Sequence, residues 1–85
     1  MMMPIEQAAV FLLLVGQEKG QKIIALMDTG EIKAIIPVLR RLTDVSPHVQ
    51  EFIWAKFKDL GYEADMNPAE LLTLIRFLFS DSKFC

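Results

Sequence analysis

The sequence predicts an all-α fold, a compact array of about five short helices in a single domain over residues 1–85. Proline, capping residues and glycine recur at the spacing of helix starts and ends. Apolar residues in the middle of the chain repeat at intervals of three and four. The sequence contains no Asn-Gly or Asp-Gly hairpin signal and no sustained alternation of polar and apolar residues, so strands are not expected.

The first two helices are predicted from a proline and two glycines. Pro4 suits the first turn of helix one, and Gly16 lies where a glycine closes a helix. Helix two is predicted over Gln17 to Met27. Gly20 lies inside it and weakens it by about 1 kcal/mol relative to alanine.

Helix three is predicted to begin after Asp28, because Asp28 and Glu31 have the spacing of a capping box. Its apolar stripe at helical spacing is formed by Ile32, Ile35, Ile36, Leu39 and Leu42. Pro37 lies inside this helix, cannot donate a backbone N–H, and crowds the carbonyl of Lys33 with its ring. We therefore expect a kink or a late start of the helix there.

Helix four is predicted to begin at Pro47 with Ser46 as its N-cap, and to end at Gly61. Its predicted inner face is formed by Val49, Phe52, Ile53, Phe57 and Leu60. After a loop over residues 62–66, Asn67 caps helix five, which is predicted over Pro68 to about Phe79. Connections this short force consecutive helices into contact.

Charge and apolar run length exclude two classes of partner. The net charge of −2 and the pI of about 5.2 argue against nucleic acid, because neutralising phosphates requires a basic face. Lys33, Arg40 and Arg41 are interpreted as a solvated helix face. The apolar run over residues 8–15 is too short for the roughly 20 residues of a membrane span. Glu6 precedes that run where a signal peptide has positive charge, so neither secretion nor direct membrane insertion is expected.

The sequence also predicts no catalytic residue, no metal ligand and no cofactor. His48 is the one histidine and has no partner at a catalytic or ligating spacing, so it is predicted to be a surface residue. Cys85 is the one cysteine, which suits a reducing cytoplasm, and its terminal position does not favour a preorganised nucleophile. The acidic residues are dispersed, and no glycine-rich phosphate loop is present. An enzyme is not expected.

The hydrophobic surplus is the main indication of function. Hydrophobic residues make up 53% of the chain. Counted with glycine in place of tyrosine the share is about 56%, against roughly 45–50% in ordinary domains. In helix one, residues 8–15 are apolar all round, and in helix five only Thr73 and Arg76 interrupt residues 71–79. Such helices must be covered on every side, which a small domain achieves with difficulty.

We therefore predict that part of helix five and the nearby edge of helix one form a groove for an apolar helix from another chain. The alternative is that one of these helices is central and needs no partner. Trp54 falls about 140° around helix four, off its predicted inner face near 15°, which suits either an interface anchor or packing against helix five. The predicted partner-binding residues are Phe11, Leu14, Trp54, Leu71, Leu74, Ile75 and Leu78.

Four segments carry a family resemblance that spans about residues 5–80. They are Glu6–Gly16, an aliphatic helix closed by glycine; Ile23–Ile32, a helix, turn and acidic-aliphatic start; Leu42–Ser46, a connector ending in a capping serine; and Phe52–Phe57, an aromatic-bearing helix. In order and spacing, the sequence resembles the N-terminal domain of the bacterial flagellar motor switch protein FliG. The same helical array is similar to the N-terminal domain of MgtE-type magnesium transporters, but dispersed acidic residues do not favour a divalent cation site.

The FliG resemblance implies a cytoplasmic domain at the inner face of the inner membrane, in the flagellar basal body. It implies binding of the C-terminal tail of the MS-ring protein, and contacts with neighbouring copies. The sequence departs from the family at Pro37 and in the short loop before helix five. The middle and C-terminal domains do not occur in these residues, so torque and switching are not carried over. The function expected is a non-enzymatic protein-binding scaffold. The alternative is a small helical protein without a motor role that self-associates by pairing or swapping helices with a second copy.

Overall fold

Five α-helices form the part of the chain that the computed structural model describes, residues 3–42 and 44–83, with side chains as far as residue 79. They are α1 (Pro4–Leu14), α2 (Gln17–Leu26), α3 (Thr29–Arg41), α4 (Pro47–Asp59) and α5 (Pro68–Lys83). These residues contain no strand, and the all-α prediction is confirmed. Thr43, in the connector before α4, and Cys85 lie outside the described residues.

Side-chain hydrogen bonds at the helix starts confirm the predicted caps. At α3, an oxygen of Asp28 accepts from the Glu31 N–H at 2.8 Å, and the Glu31 carboxylate accepts from the Asp28 N–H at 2.9 Å. Asn67 and Glu70 make the same exchange at the start of α5, at 2.9 and 3.0 Å. The Ser46 hydroxyl accepts from the third amide of α4 at 3.4 Å. Each cap satisfies backbone groups that have no partner inside the helix.

Glycines with positive φ mark two of the predicted helix ends. Gly16 has φ +98° between α1 and α2, and Gly61 has φ +108° after α4. Residues with a Cβ rarely adopt this conformation, which explains why the chain turns at these glycines. Helix α5 continues four residues beyond Phe79 to Lys83, past the predicted end.

Helix α3 passes through Pro37, so the predicted late start is wrong. The capping box at Asp28 sets the start of the helix two turns upstream, and the helix continues past Pro37 to Arg41. Pro37 and Lys33 are both exposed, where water can hydrogen-bond the carbonyl that proline leaves without a donor. The expected kink stays a prediction.

Helix α1 is the centre of the fold. It packs against each of the other four helices, and α2 packs in addition against α5. Residues 7–12 are buried, and the ring of Phe11 contacts the rings of Phe57, Trp54 and Tyr62. The sequence left open that one apolar helix is central and needs no partner. This alternative holds for most of α1, which the chain itself covers.

Gly20 brings α2 close to α1. A Cβ at this position would lie 2.8 Å from the carbonyl oxygen of Leu12, closer than a carbon and an oxygen can pack without one of them moving. Glycine weakens α2 as an isolated helix, but this close approach allows Ile23 to be fully buried in the core.

The buried face of α4 differs from the predicted one. Ile53 and Phe57 are fully buried, but Phe52, predicted to face inward, is 50% exposed. Trp54 is half-buried, with its ring centroid 6.2 Å from that of Phe11 and 5.3 Å from that of Tyr62. These aromatic contacts turn the buried face of α4 toward Trp54 and away from Phe52. The ring contacts of Trp54 are with α1 and the loop after α4, at the boundary of the core.

Helix α5 covers most of its apolar surface against α1 and α2. Its buried residues are Leu71, Leu72, Leu74, Ile75 and Leu78. Thr73, Arg76 and Phe77 lie on the exposed side, where Phe77 is 53% exposed. Five apolar residues of α5 are thus covered by the chain itself, since α1 and α2 pack against this face, and Phe77 is left exposed.

Candidate partner-binding groove

The seven predicted partner-binding residues do not line one surface. Phe11, Leu71, Leu74 and Leu78 lie in the core, at 0%, 0%, 4% and 2% exposure. Leu14 and Trp54 are half-buried. Ile75 is 1% exposed, and it lines an open groove. A partner-binding role for these residues stays a prediction, and in this conformation five of them, Ile75 included, are buried and stabilise the chain itself.

The groove has a volume of about 500 Å³ and runs between the start of α3 and the second half of α5, with the start of α1 at one end. Its apolar lining consists of Ile5, Met27, Ala34, Ile35, Ile75 and Phe79. Asp28, Gly30, Glu31 and Arg76 complete the wall. Of the seven residues predicted for a groove on α5 and α1, only Ile75 lines this one, and α3 forms the opposite wall.

Burial separates the floor of the groove from its open sides. Ile35, Ile75 and Met27 are buried and form the floor. Ala34 is exposed, and Ile5 and Phe79 are half-buried, so these three remain accessible at the sides. At Gly30 an added Cβ would meet only a carboxylate oxygen of Asp28, at 3.4 Å, so this part of the wall has space for a side chain.

One ion pair lies in the wall of the groove. The Nη2 of Arg76 donates to Oε1 of Glu31 at 2.9 Å, and Nε donates to Oε2 at 3.0 Å. The hydrogen bond from Arg76 lowers the pKa of Glu31 below its ordinary value, and this effect exceeds the opposing effect of burial. The same hydrogen bond raises the pKa of Arg76. Both groups are therefore charged at neutral pH, and they join α3 to α5 in the wall of the groove.

A second depression, of about 400 Å³, lies between the start of α1 and the end of α3. Its residues are Met3, Ile5, Glu6, Val38, Arg41 and Leu42. Glu6 is engaged by the backbone N–H of Met3 at 3.0 Å, as part of the start of α1. With fewer apolar side chains in its wall, this depression suits an apolar helix less well than the groove between α3 and α5.

No group of three or more histidine, cysteine, aspartate or glutamate side chains in the described residues is arranged to hold a metal ion. His48 is exposed at the start of α4, as predicted for a surface residue. Across residues 3–42 and 44–83, the structure contains no helix with both the length and the hydropathy of a membrane span.

The sequence missed most of the groove because its walls come from distant parts of the chain. Glu31 was identified only as a cap, and Arg76 only as an interruption of an apolar helix. Their pairing across 45 residues leaves no local signal. The apolar stripe of α3 contains Ile35, but nothing in the sequence indicates that Ile35 and Ile75 line the same groove.

One family model matches the chain over residues 1–73, and it describes the FliG N-terminal domain. The match covers α1 to α4 and the first turns of α5. Ile75, Arg76 and Phe79, which form the α5 wall of the groove, lie beyond it. No curated protein and no solved structure matches the chain.

Proposed function

This chain belongs to the family of FliG N-terminal domains of the flagellar motor switch, and from this premise we propose that it is a non-enzymatic scaffold domain. It binds an apolar helix from the cytoplasmic tail of an MS-ring protein, and it does so at the inner face of the bacterial inner membrane. The observation that carries this proposal is the open apolar groove between α3 and α5.

The groove suits the helix-in-groove mode of recognition. In that mode an amphipathic helix buries anchors spaced three or four residues apart in an apolar channel. The floor of Ile35, Ile75 and Met27 accepts such anchors, and the accessible Phe79 and Ala34 contact the sides of the helix.

Titration calorimetry tests this proposal. The ligand is a synthetic peptide with the sequence of the MS-ring protein's tail from the same cell. Ala34→Gln places a longer polar side chain on an exposed wall of the groove, and we expect it to weaken binding by about tenfold or more. Ala55→Gln makes the same change at an exposed position of α4 outside the groove, and binding should not change. Equal affinities for the two variants would show that the peptide does not use this groove.

Self-association is the second candidate, and exposed apolar side chains favour it. Leu13, Leu26, Phe52 and Phe77 are 47%, 51%, 50% and 53% exposed. Light scattering with and without the tail peptide distinguishes the two functions. A dimer that ignores the peptide would support self-association in place of tail binding.

A further inference from the structure

We infer that the helix bound in this groove carries a carboxylate side chain that pairs with Arg76, so that the groove selects an acidic amphipathic helix. The inference rests on the proposed function, since it names the chemistry of the same partner. It concerns a residue beyond the segment that matches the family, so it comes from this chain's own structure.

The groove wall contains three charged side chains, those of Asp28, Glu31 and Arg76. The two carboxylates are already engaged in holding the start of α3. Asp28 accepts from the Glu31 N–H at 2.8 Å, and Glu31 accepts from the Asp28 N–H at 2.9 Å. Both oxygens of Glu31 also accept from Arg76. Turning Glu31 toward a partner would therefore remove the cap of the helix.

Arg76 is the charged group with donors to spare. Its side chain is 52% exposed, against 25% for Glu31. It donates to Glu31 through Nε and Nη2, and Nη1 makes no hydrogen bond to any described residue. A guanidinium has five N–H donors in a fixed fork, so a second carboxylate can bind at Nη1 while Glu31 keeps its own two bonds.

The position of Arg76 suits recognition of a bound helix. It lies next to Ile75 in the floor and one turn before Phe79 at the side. When the apolar anchors of a bound helix pack against this floor, the polar residues that flank those anchors lie next to Arg76. A carboxylate there gains a charge-assisted hydrogen bond, which is stronger than one between neutral groups.

The opposite chemistry is a cationic side chain on the partner, attracted to the two carboxylates. The two possibilities predict opposite effects of neutralising each member of the ion pair. Glu31→Gln is the matched variant, because glutamine can still accept at the start of α3. Arg76→Gln removes the guanidinium from α5 and leaves that cap in place.

The experiment is calorimetric titration of the MS-ring tail peptide into the wild type and both variants at low salt. We expect Arg76→Gln to weaken binding by about tenfold. Glu31→Gln should tighten binding several-fold, because Arg76 is then free for the partner. In the peptide, the acidic residue that pairs with Arg76 can be replaced by its amide. This change should weaken binding to the wild type but should weaken binding to Arg76→Gln very little more.

Tighter binding to Arg76→Gln and weaker binding to Glu31→Gln would overturn the inference in favour of a cationic partner. Equal losses in both variants would also overturn it, because the ion pair would then only shape the groove. A peptide that binds the wild type but is insensitive to Arg76→Gln overturns this inference and leaves the proposed function standing. A peptide that binds no form of the protein overturns both. Thermal unfolding of each variant verifies that it is folded.

Discussion

A single residue can set how closely two helices approach each other, and Gly20 does so whereas Gly30 does not. At Gly20 the carbonyl oxygen of Leu12 lies where a Cβ would be, so α2 can pack this closely on α1 only because glycine has no side chain. At Gly30 the space beside the groove is open. The same residue type is thus a packing requirement at one site and a dispensable gap at the other.

We expect Gly20→Ala to destabilise the protein by about 1–2 kcal/mol, because overpacking against a backbone oxygen outweighs alanine's better helix propensity. Gly30→Ala should instead be neutral or stabilise by about 0.5 kcal/mol, since its Cβ meets only a carboxylate oxygen at 3.4 Å. Urea unfolding of the two variants measures both changes. A stabilised Gly20→Ala would show that α2 does not require this close approach to α1.

The Glu31–Arg76 pair predicts a pH dependence of stability. The hydrogen bond from Arg76 holds the pKa of Glu31 below the ordinary value of 4.5 in the folded protein. Folding therefore favours the charged carboxylate. The resulting stabilisation is present above the ordinary pKa and is lost as the pH falls through the lowered one. Wild type should therefore exceed Glu31→Gln in stability at pH 7, and the difference should vanish in acid. A difference that persists at the acid end of a urea-unfolding series would contradict this assignment.

Whole elements are stabilised by one buried face, and α5 illustrates the two sides of such a helix. Leu78 is 2% exposed against the core, whereas its neighbour Phe77 is 53% exposed. The two positions separate the role of α5 in folding from its role in contacts with other chains.

We expect Leu78→Ala to destabilise the chain by about 2–5 kcal/mol, because it leaves a cavity in the core. Phe77→Ala should change the free energy of unfolding by less than about 0.5 kcal/mol, as is usual for an exposed side chain. Thermal unfolding measures both, and binding of the tail peptide to folded Leu78→Ala tests the predicted contact role of Leu78. Unchanged stability in Leu78→Ala would mean that this part of α5 is not packed as the structure shows.

Helix boundaries could be predicted from the sequence because caps are local. Asp28 with Glu31, and Asn67 with Glu70, are each bonded within three residues, so their spacing alone identifies the helix start. The buried face of α4 could not be predicted in the same way. Whether Phe52 or Trp54 turns inward depends on the rings of Phe11 and Tyr62, which come from other elements.

The whole molecule is organised around α1, and this determines how much of the groove the sequence could indicate. The sequence alone shows that α1 and α5 are rich in apolar residues, but most of those in α1 are buried where it packs against the other four helices. The groove remains where α3 and α5 flank the start of α1 at Ile5. Only the tertiary arrangement identifies that place, because Ile5, Ile35 and Ile75 are far apart in the chain.

Tail binding should also stabilise the whole domain. A ligand that binds only the folded state at about 100 times its Kd adds roughly 2.7 kcal/mol to the free energy of unfolding. We therefore expect the tail peptide to raise the melting temperature of the wild type, and to raise that of Ala34→Gln much less at the same concentration. Equal shifts in the two proteins would place the peptide outside the groove.

The central position of α1 has a consequence for biosynthesis. A ribosome makes α1 before α5, one of the helices that cover it. Until residues 68–83 emerge, the side of α1 that packs against α5 is uncovered in the nascent chain. Exposed aliphatic segments of this kind are the ones that chaperones bind. Formation of α5, rather than of α1, is thus the event that covers this side of the aliphatic segment.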